Sequence, residues 1–254
     1  MVKSVNWTKE ETIIAFNVYC KIPFKSSSKS NPTVIKFAKI LGRSPSALNM
    51  KIGNFGRLDP ELKKKGIVGL GNGSKLDEIV WEEFNGNWDK LAYESELLIA
   101  KFQNKKIEEL IDDDFDFPVG KENEAIVKQR VNQNFFRSII LSSYNIKCCI
   151  TGLSIPEFLV ASHIIPWRTD KTNRLNPRNG LCLNTIHDKA FDNGFFAITP
   201  DYRIKVSDYF KDFKQDESVY EFFLKYENKS IVLPDRFLPS KDFLDFHYQQ
   251  IFKK

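Results

Sequence analysis

Phe158-Leu159-Val160-Ala161-Ser162-His163-Ile164-Ile165-Pro166 leads into a polar loop from Trp167 to Arg178, then into Gly180-Leu181-Cys182-Leu183 and Thr185-Ile186-His187-Asp188-Lys189-Ala190-Phe191. The first run is short and apolar, the mark of a buried strand, and it carries a histidine. Gly180 to Leu183 reads as a second strand. Thr185 to Phe191 reads as a short helix carrying His187 and ended by Asp192-Asn193-Gly194. Only three histidines occur in the chain, and two of them, His163 and His187, stand 24 residues apart in this strand, loop, strand, helix unit with Asn179 between them. Downstream, Phe195 to Ile198 and Arg203 to Val206 flank Pro200-Asp201 and predict a hairpin.

Upstream, the signals are helical. Thr8 and Glu11 stand in the spacing of a reciprocal capping box ahead of Ile13, Ile14, Phe16, Val18 and Tyr19. Asn31-Pro32 starts a second helix that Gly42 stops, and Ser44-Pro45 at once starts a third that ends near Asp59-Pro60. The tight Leu41 to Ser44 corner predicts a helix-turn-helix, with Ala38 as the small contact, Gly42 as the turn residue and Leu48 as the core anchor. Its second helix would expose Ser46, Asn49, Lys51 and Arg57 to phosphates and base edges. Gly66 to Ser74 reads as a loop. A long helix is expected over 76–103 with Trp81, Phe84, Trp88, Leu91, Leu97 and Leu98 in the core, and another over 125–144 burying Val127, Val131, Phe135, Ile139 and Leu141. The acidic run from Glu108 to Asp116, closed by Pro118 and Gly120, reads as a linker.

At 254 residues, 42% hydrophobic and 28% charged, the chain can bury a core and is not a disordered tail. No apolar run approaches the roughly 18 residues of a membrane span, and Met1 to Lys9 lack the plan of a signal peptide, so a cytoplasmic protein without a membrane partner is expected. Four cysteines in a chain of this length point to reduced thiols rather than a disulfide scaffold. The net charge of +5 conceals a strong segregation: +9 over 1–65, −9 over 76–116, +5 over 117–205 and −1 over 206–254. Two basic segments could each meet a polyanion.

Ser162 to Trp167, Asn176 to Asn184 and His187 to Gly194 resemble the HNH endonucleases, which have a ββα-metal core. More narrowly, they resemble the bacterial restriction-type group in which Cys-x-Ile-Thr-Gly, here Cys148 to Gly152, precedes the histidine strand. That group also has Arg-x-x-Gln-x-x-Phe-Arg upstream, here Arg130 to Arg137. The resemblance implies an α+β chain. With the helices and acidic run read above, its parts would be a helical, DNA-binding region with a helix-turn-helix over 1–107, an acidic linker over 108–120, and, from the resemblance, a ββα-metal nuclease domain with a C-terminal extension over 121–254. It implies DNA as partner, a role in restriction or phage defence, and a homodimer or two sequential nicks for double-strand cutting.

For the site, the resemblance makes His163 the general base that deprotonates water, since a neutral imidazole suits that task near pH 7. Asn179 would hold the ring through its side-chain carbonyl. His187 would bind one divalent ion, Mg²⁺ or Mn²⁺ before Zn²⁺ or Ni²⁺. Where the family often carries a second ligand, Asp or His, this chain has Ser162, a weak and neutral ligand, so either several waters surround the ion or another oxygen completes the site; Asp192 is the nearest carboxylate after Asp188, competing with a plain helix-ending role. Arg168, Lys171, Arg174 and Arg178 crowd the strand-to-strand loop and could grip phosphates, and Arg130 and Arg137 share a helix face that could do the same. No paired Cys-x-x-Cys is present, so a structural zinc is not expected. His247 has no companions and is read as a core or surface residue. Two alternatives stay open: a DNA-binding protein whose nuclease site has decayed, suggested by Ser162, and a nuclease for RNA or single strands.

Overall fold

The computed structural model describes residues 6–67, 73–111 and 121–254. The chain divides into two compact units, 1–142 and 143–254. No helix of the described residues is long and apolar enough to cross a membrane.

The first unit is helical. Helix α1 (Lys9–Lys21) opens with the reciprocal cap: Thr8 N–H donates to Glu11 Oε2 at 2.9 Å, and Glu11 N–H to Thr8 Oγ1 at 3.2 Å. It is buried on nearly every side, with Ile14, Phe16, Val18 and Tyr19 fully enclosed. A helix apolar all round belongs at the centre of a domain, and α1 is that centre here. Around it pack α2 (Pro32–Leu41), α3 (Pro45–Leu58), α5 (Lys75–Phe84) and α6 (Trp88–Gln103); the single-turn α4 (Pro60–Lys64) follows α3. Asn31 and Ser44 cap α2 and α3, and Gly42 turns the chain between them at φ +63°, a left-handed value that glycine adopts without strain. Ala38 and Leu48 are fully buried at the contact.

Two details differ from the expected helices. The single helix expected over 76–103 is broken at Asn85-Gly86-Asn87, where Gly86 takes φ +92°. The register shift after that turn leaves Leu97 41% exposed and buries Ile99 instead. Helix α7 (Lys121–Ser143), expected within the nuclease domain, packs with the first unit: Asn132 donates to Asp89 at 2.7 Å and Ser142 Oγ to the Cys20 carbonyl at 2.6 Å. Composition marks the acidic run as a boundary, whereas packing sets it after Ser142. Residues 112–120 of that run, and 68–72 of the expected glycine loop, lie outside the described residues.

In the second unit, β1 (Leu159–His163) pairs antiparallel with β2 (Gly180–Asn184), with His163 opposite Gly180 and Ser162 opposite Leu181. Helix α8 (Thr185–Asp192) leaves β2 directly and packs on both strands. Asn184, its cap, accepts from the His187 N–H at 2.9 Å. The hairpin β3 (Phe196–Ile198) and β4 (Ile204–Val206) follows, then α9 (Glu217–Phe222) and α10 (Lys241–Gln250). None of the four cysteines is in a disulfide, and all four are buried. His247 is buried on α10, stacked on Phe191 at 3.7 Å with its Nε2 on the Phe191 carbonyl at 3.1 Å, which gives it a core role.

Candidate active site

The site is built from the end of β1, the loop it enters, and α8. His163 is the last residue of β1. Its Nε2 meets the backbone carbonyl of Arg174 at 2.9 Å. A carbonyl can only accept, so Nε2 carries the proton and the lone pair of the neutral ring is on Nδ1. Burial lowers the pKa of His163 below its usual value, against the opposing pull of the Arg174 carbonyl. The ring is therefore held neutral, with its tautomer set by the loop. Trp167 stands edge-on to it at 5.4 Å.

The loop is stiffened by its own polar groups. Asp170 accepts from the backbone of Thr172 and Asn173 and from the Asn173 side chain, and Asn176 donates to Asn173. Arg174 donates through Nε to the Trp167 carbonyl at 2.7 Å, with its guanidinium 5.0 Å from the Trp167 ring.

Asn179 does not hold the histidine ring as expected. Its Oδ1 accepts from Ile165 N–H at 2.8 Å, and its Nδ2 donates to the carbonyls of Ile165 and Asn173, both at 3.2 Å. It is fully buried and ties the start of the loop to its end. Because Asn173 precedes Arg174, Asn179 places the carbonyl that fixes His163: it is a positioning residue acting one step further back than the resemblance suggests.

His187 is also placed differently. It is fully buried, its Nε2 lies 2.7 Å from the Phe222 carbonyl, and Phe196, Phe223 and Tyr226 surround the ring at 5.5 to 5.8 Å. The Cys148 thiol lies against the same ring. Burial would push that thiol up, but the neighbouring His187 and Thr151 hold it at about 7. With Nε2 on a backbone carbonyl and aromatic side chains around it, the ring braces α8, while its buried Nδ1 has no hydrogen-bond partner.

Helix α8 also carries two carboxylates. Asp188 and Asp192 are four residues apart and share a helix face. Burial and, for Asp192, the neighbouring Asp188 raise both above the usual carboxylate range. The buried Ser162 hydroxyl lies beside Asp188 and pulls the other way. Two crowded carboxylates beside a hydroxyl are oxygen donors of the kind that Mg²⁺ or Mn²⁺ takes, and a cation there would offset their mutual repulsion. Among the described residues no three His, Cys, Asp or Glu side chains converge on one point, so water or substrate oxygen would complete the shell.

Of the expected phosphate contacts, Arg168 and Lys171 are exposed on the loop, whereas Arg174 and Arg178 are half-buried, the latter donating to the Leu238 carbonyl at 3.2 Å. Arg130 and Arg137 are exposed on α7 in the first unit. There, Lys51 is 4% exposed and paired with the buried Asp77, and Asn49 accepts from Ser27 Oγ at 2.7 Å. Lys51 is thus a core ion pair rather than a DNA contact: α5 covers the side of α3 that carries it.

Residues 148–199 match the family model described as HNH endonuclease. That span runs from Cys148 through β1, β2 and α8 to the end of β3, so it takes in Ser162, His163, Asn179, His187, Asp188 and Asp192. Comparison with curated proteins finds no match.

Proposed function

We propose, from this HNH endonuclease segment, that the second unit hydrolyses phosphodiester bonds in DNA with His163 as general base and a divalent ion held at α8. The observation that carries the reading is the contact between His163 Nε2 and the Arg174 carbonyl, which leaves a neutral imidazole with its basic nitrogen defined.

Hydrolysis needs a deprotonated water, neutralisation of the phosphate oxygens and a proton or positive charge for the leaving alkoxide. His163 takes the proton of the attacking water on Nδ1, and the resulting imidazolium is steadied by the Arg174 carbonyl on Nε2. The water oxygen forms the new bond to phosphorus while the bond to the leaving sugar oxygen breaks, and that oxygen takes a proton from solvent. Asp188 and Asp192, with the Ser162 hydroxyl, would hold the ion, which supplies charge neutralisation on the phosphate and the leaving oxygen. Arg168 and Lys171 attract the phosphate backbone from the loop. A role in restriction or phage defence accords with such an activity.

Plasmid relaxation in Mg²⁺ or Mn²⁺ tests this, beside RNA and single-stranded competitors. Cutting that EDTA stops, and that Asp188→Asn reduces about 100-fold or more, is expected. One observation favours a second reading: Ser162 leaves a site of only two carboxylates. A decayed nuclease that only binds DNA predicts salt-sensitive binding with no cutting in any divalent ion.

A further inference from the structure

We propose that the apolar groove on the other side of α8 is a stacking site for an unpaired nucleobase of the substrate strand, an inference that rests on the nuclease reading above. The groove has a volume of about 580 Å³ and is walled by Ile186 and Ala190 of α8 and by Phe195, Phe210 and Phe223. That volume lies within the roughly 300–1,000 Å³ typical of small-ligand sites. Phe210 and Phe223 already stack on each other at 4.5 Å and 14°, and Phe195 lies 5.0 Å from Tyr209. These rings are held in place by one another along the groove. Ile186 is 44% exposed and Tyr209 54%, in a unit whose β1–β2 and β3 apolar residues are largely enclosed. A cluster of this kind left open to water marks a binding surface.

Its chemistry selects the occupant. Lys189 lines the groove and is exposed, and Lys253 Nζ lies 4.3 Å from the centre of the Phe195 ring. An apolar peptide has no use for two ammonium groups at the rim of an aromatic groove, whereas a nucleotide brings a base for the rings and a phosphate for the lysines. Asn193 also lines the groove; its Nδ2 donates to the Lys189 carbonyl at 2.7 Å, which leaves Oδ1 to accept from an exocyclic amine of a base.

Position supports the same occupant. Asp188 and Asp192 lie on one face of α8, and Ile186, Lys189, Ala190 and Asn193 are offset from it around the helix. A helix with its side chains is about 10–12 Å across. A strand whose phosphate lies at the carboxylates therefore has a neighbouring base within reach of the groove, provided that base is not held in a duplex stack.

The test uses the full chain in EDTA, so that no cutting is required. Oligonucleotides carrying 2-aminopurine either as an unpaired bulge or fully paired in a duplex are titrated with protein. The expected result is quenching of the bulged base only, with about tenfold tighter binding of the bulged strand. Ile186→Glu, at an exposed position, and Phe210→Leu, which keeps apolar bulk without a π face, should both remove the quench. Should Phe210→Leu melt early, Ile186→Glu decides. Equal binding of both strands without quenching overturns the proposal, as does quenching that survives Ile186→Glu. Self-association that Ile186→Glu abolishes, without quenching, assigns the face to a second copy and also overturns it. A chain that quenches but cuts nothing keeps the groove and fails the nuclease reading; a chain that cuts plasmid and never quenches does the reverse.

Discussion

His163 and His187 sit in one motif, and their surroundings give them opposite work. His163 ends a strand at a loop whose carbonyl fixes its tautomer; His187 is sealed among Phe196, Phe223, Tyr226 and Cys148. His187→Ala should therefore lower stability by about 2–4 kcal/mol through the cavity and the unpaired Phe222 carbonyl. Melting should show that loss equally with and without Mg²⁺. Asp188→Asn should melt near the wild type in EDTA and lose the stabilisation that Mg²⁺ gives. A His187→Ala protein that melts normally but no longer binds the ion would return His187 to the metal site. The sequence could rank His163 above the others, because its strand and the motif agree. It could not separate His187 from Asp188, since adjacent residues on a short helix point about 100° apart and only the packing of Phe222 to Tyr226 decides which faces inward.

Among elements, the helices with explicit caps were readable to within a residue or so: Thr8, Asn31 and Ser44 each form the cap their residue type suggests. The break at Gly86 was harder, because the apolar spacing continues on both sides of Asn85-Gly86-Asn87 and the periodic signal outweighs a single glycine. Helix α3 shows a different limit. Its lysine looked like a groove contact, but the partner that buries it, Asp77, is 26 residues away, beyond any local pattern. Removing one member of a buried pair leaves the other charge uncompensated, so Lys51→Ala should destabilise the first unit by about 3–5 kcal/mol in urea unfolding. A variant of normal stability with weakened DNA binding would instead make Lys51 a contact residue.

For the whole molecule, the charge map needs correction in one respect. Part of the basic excess over 1–65 is paired with acids from outside that stretch, in Lys9–Glu83, Lys21–Glu96, Lys51–Asp77 and Arg57–Glu78, so the net +9 overstates what the first unit offers to a polyanion. The second unit keeps exposed cations at Arg168, Lys171 and Lys189 beside its site. Its stability should carry a pH signature from His247, whose pKa burial pushes down from 6.5 to about 4 despite the Phe191 carbonyl. The unfolded chain takes up a proton below about 6.5 while the folded ring resists until about 4, so stability is full above 6.5 and falls as pH drops between the two. The loss should approach about 3 kcal/mol by pH 4. His247→Gln, which keeps a donor for Phe191 but cannot titrate there, should flatten that part of the profile in denaturant titrations at stepped pH; an unchanged slope would place the acid sensitivity elsewhere.

Metal-supported nicking of supercoiled plasmid by the wild type and by His163→Ala, with and without added imidazole, bears on the central claim most directly. The neutral base fixed by the Arg174 carbonyl predicts a loss of about 100- to 10,000-fold in the variant, with normal melting, and partial recovery by imidazole. Equal nicking by the two proteins, or no nicking by either in Mg²⁺ or Mn²⁺, would contradict it.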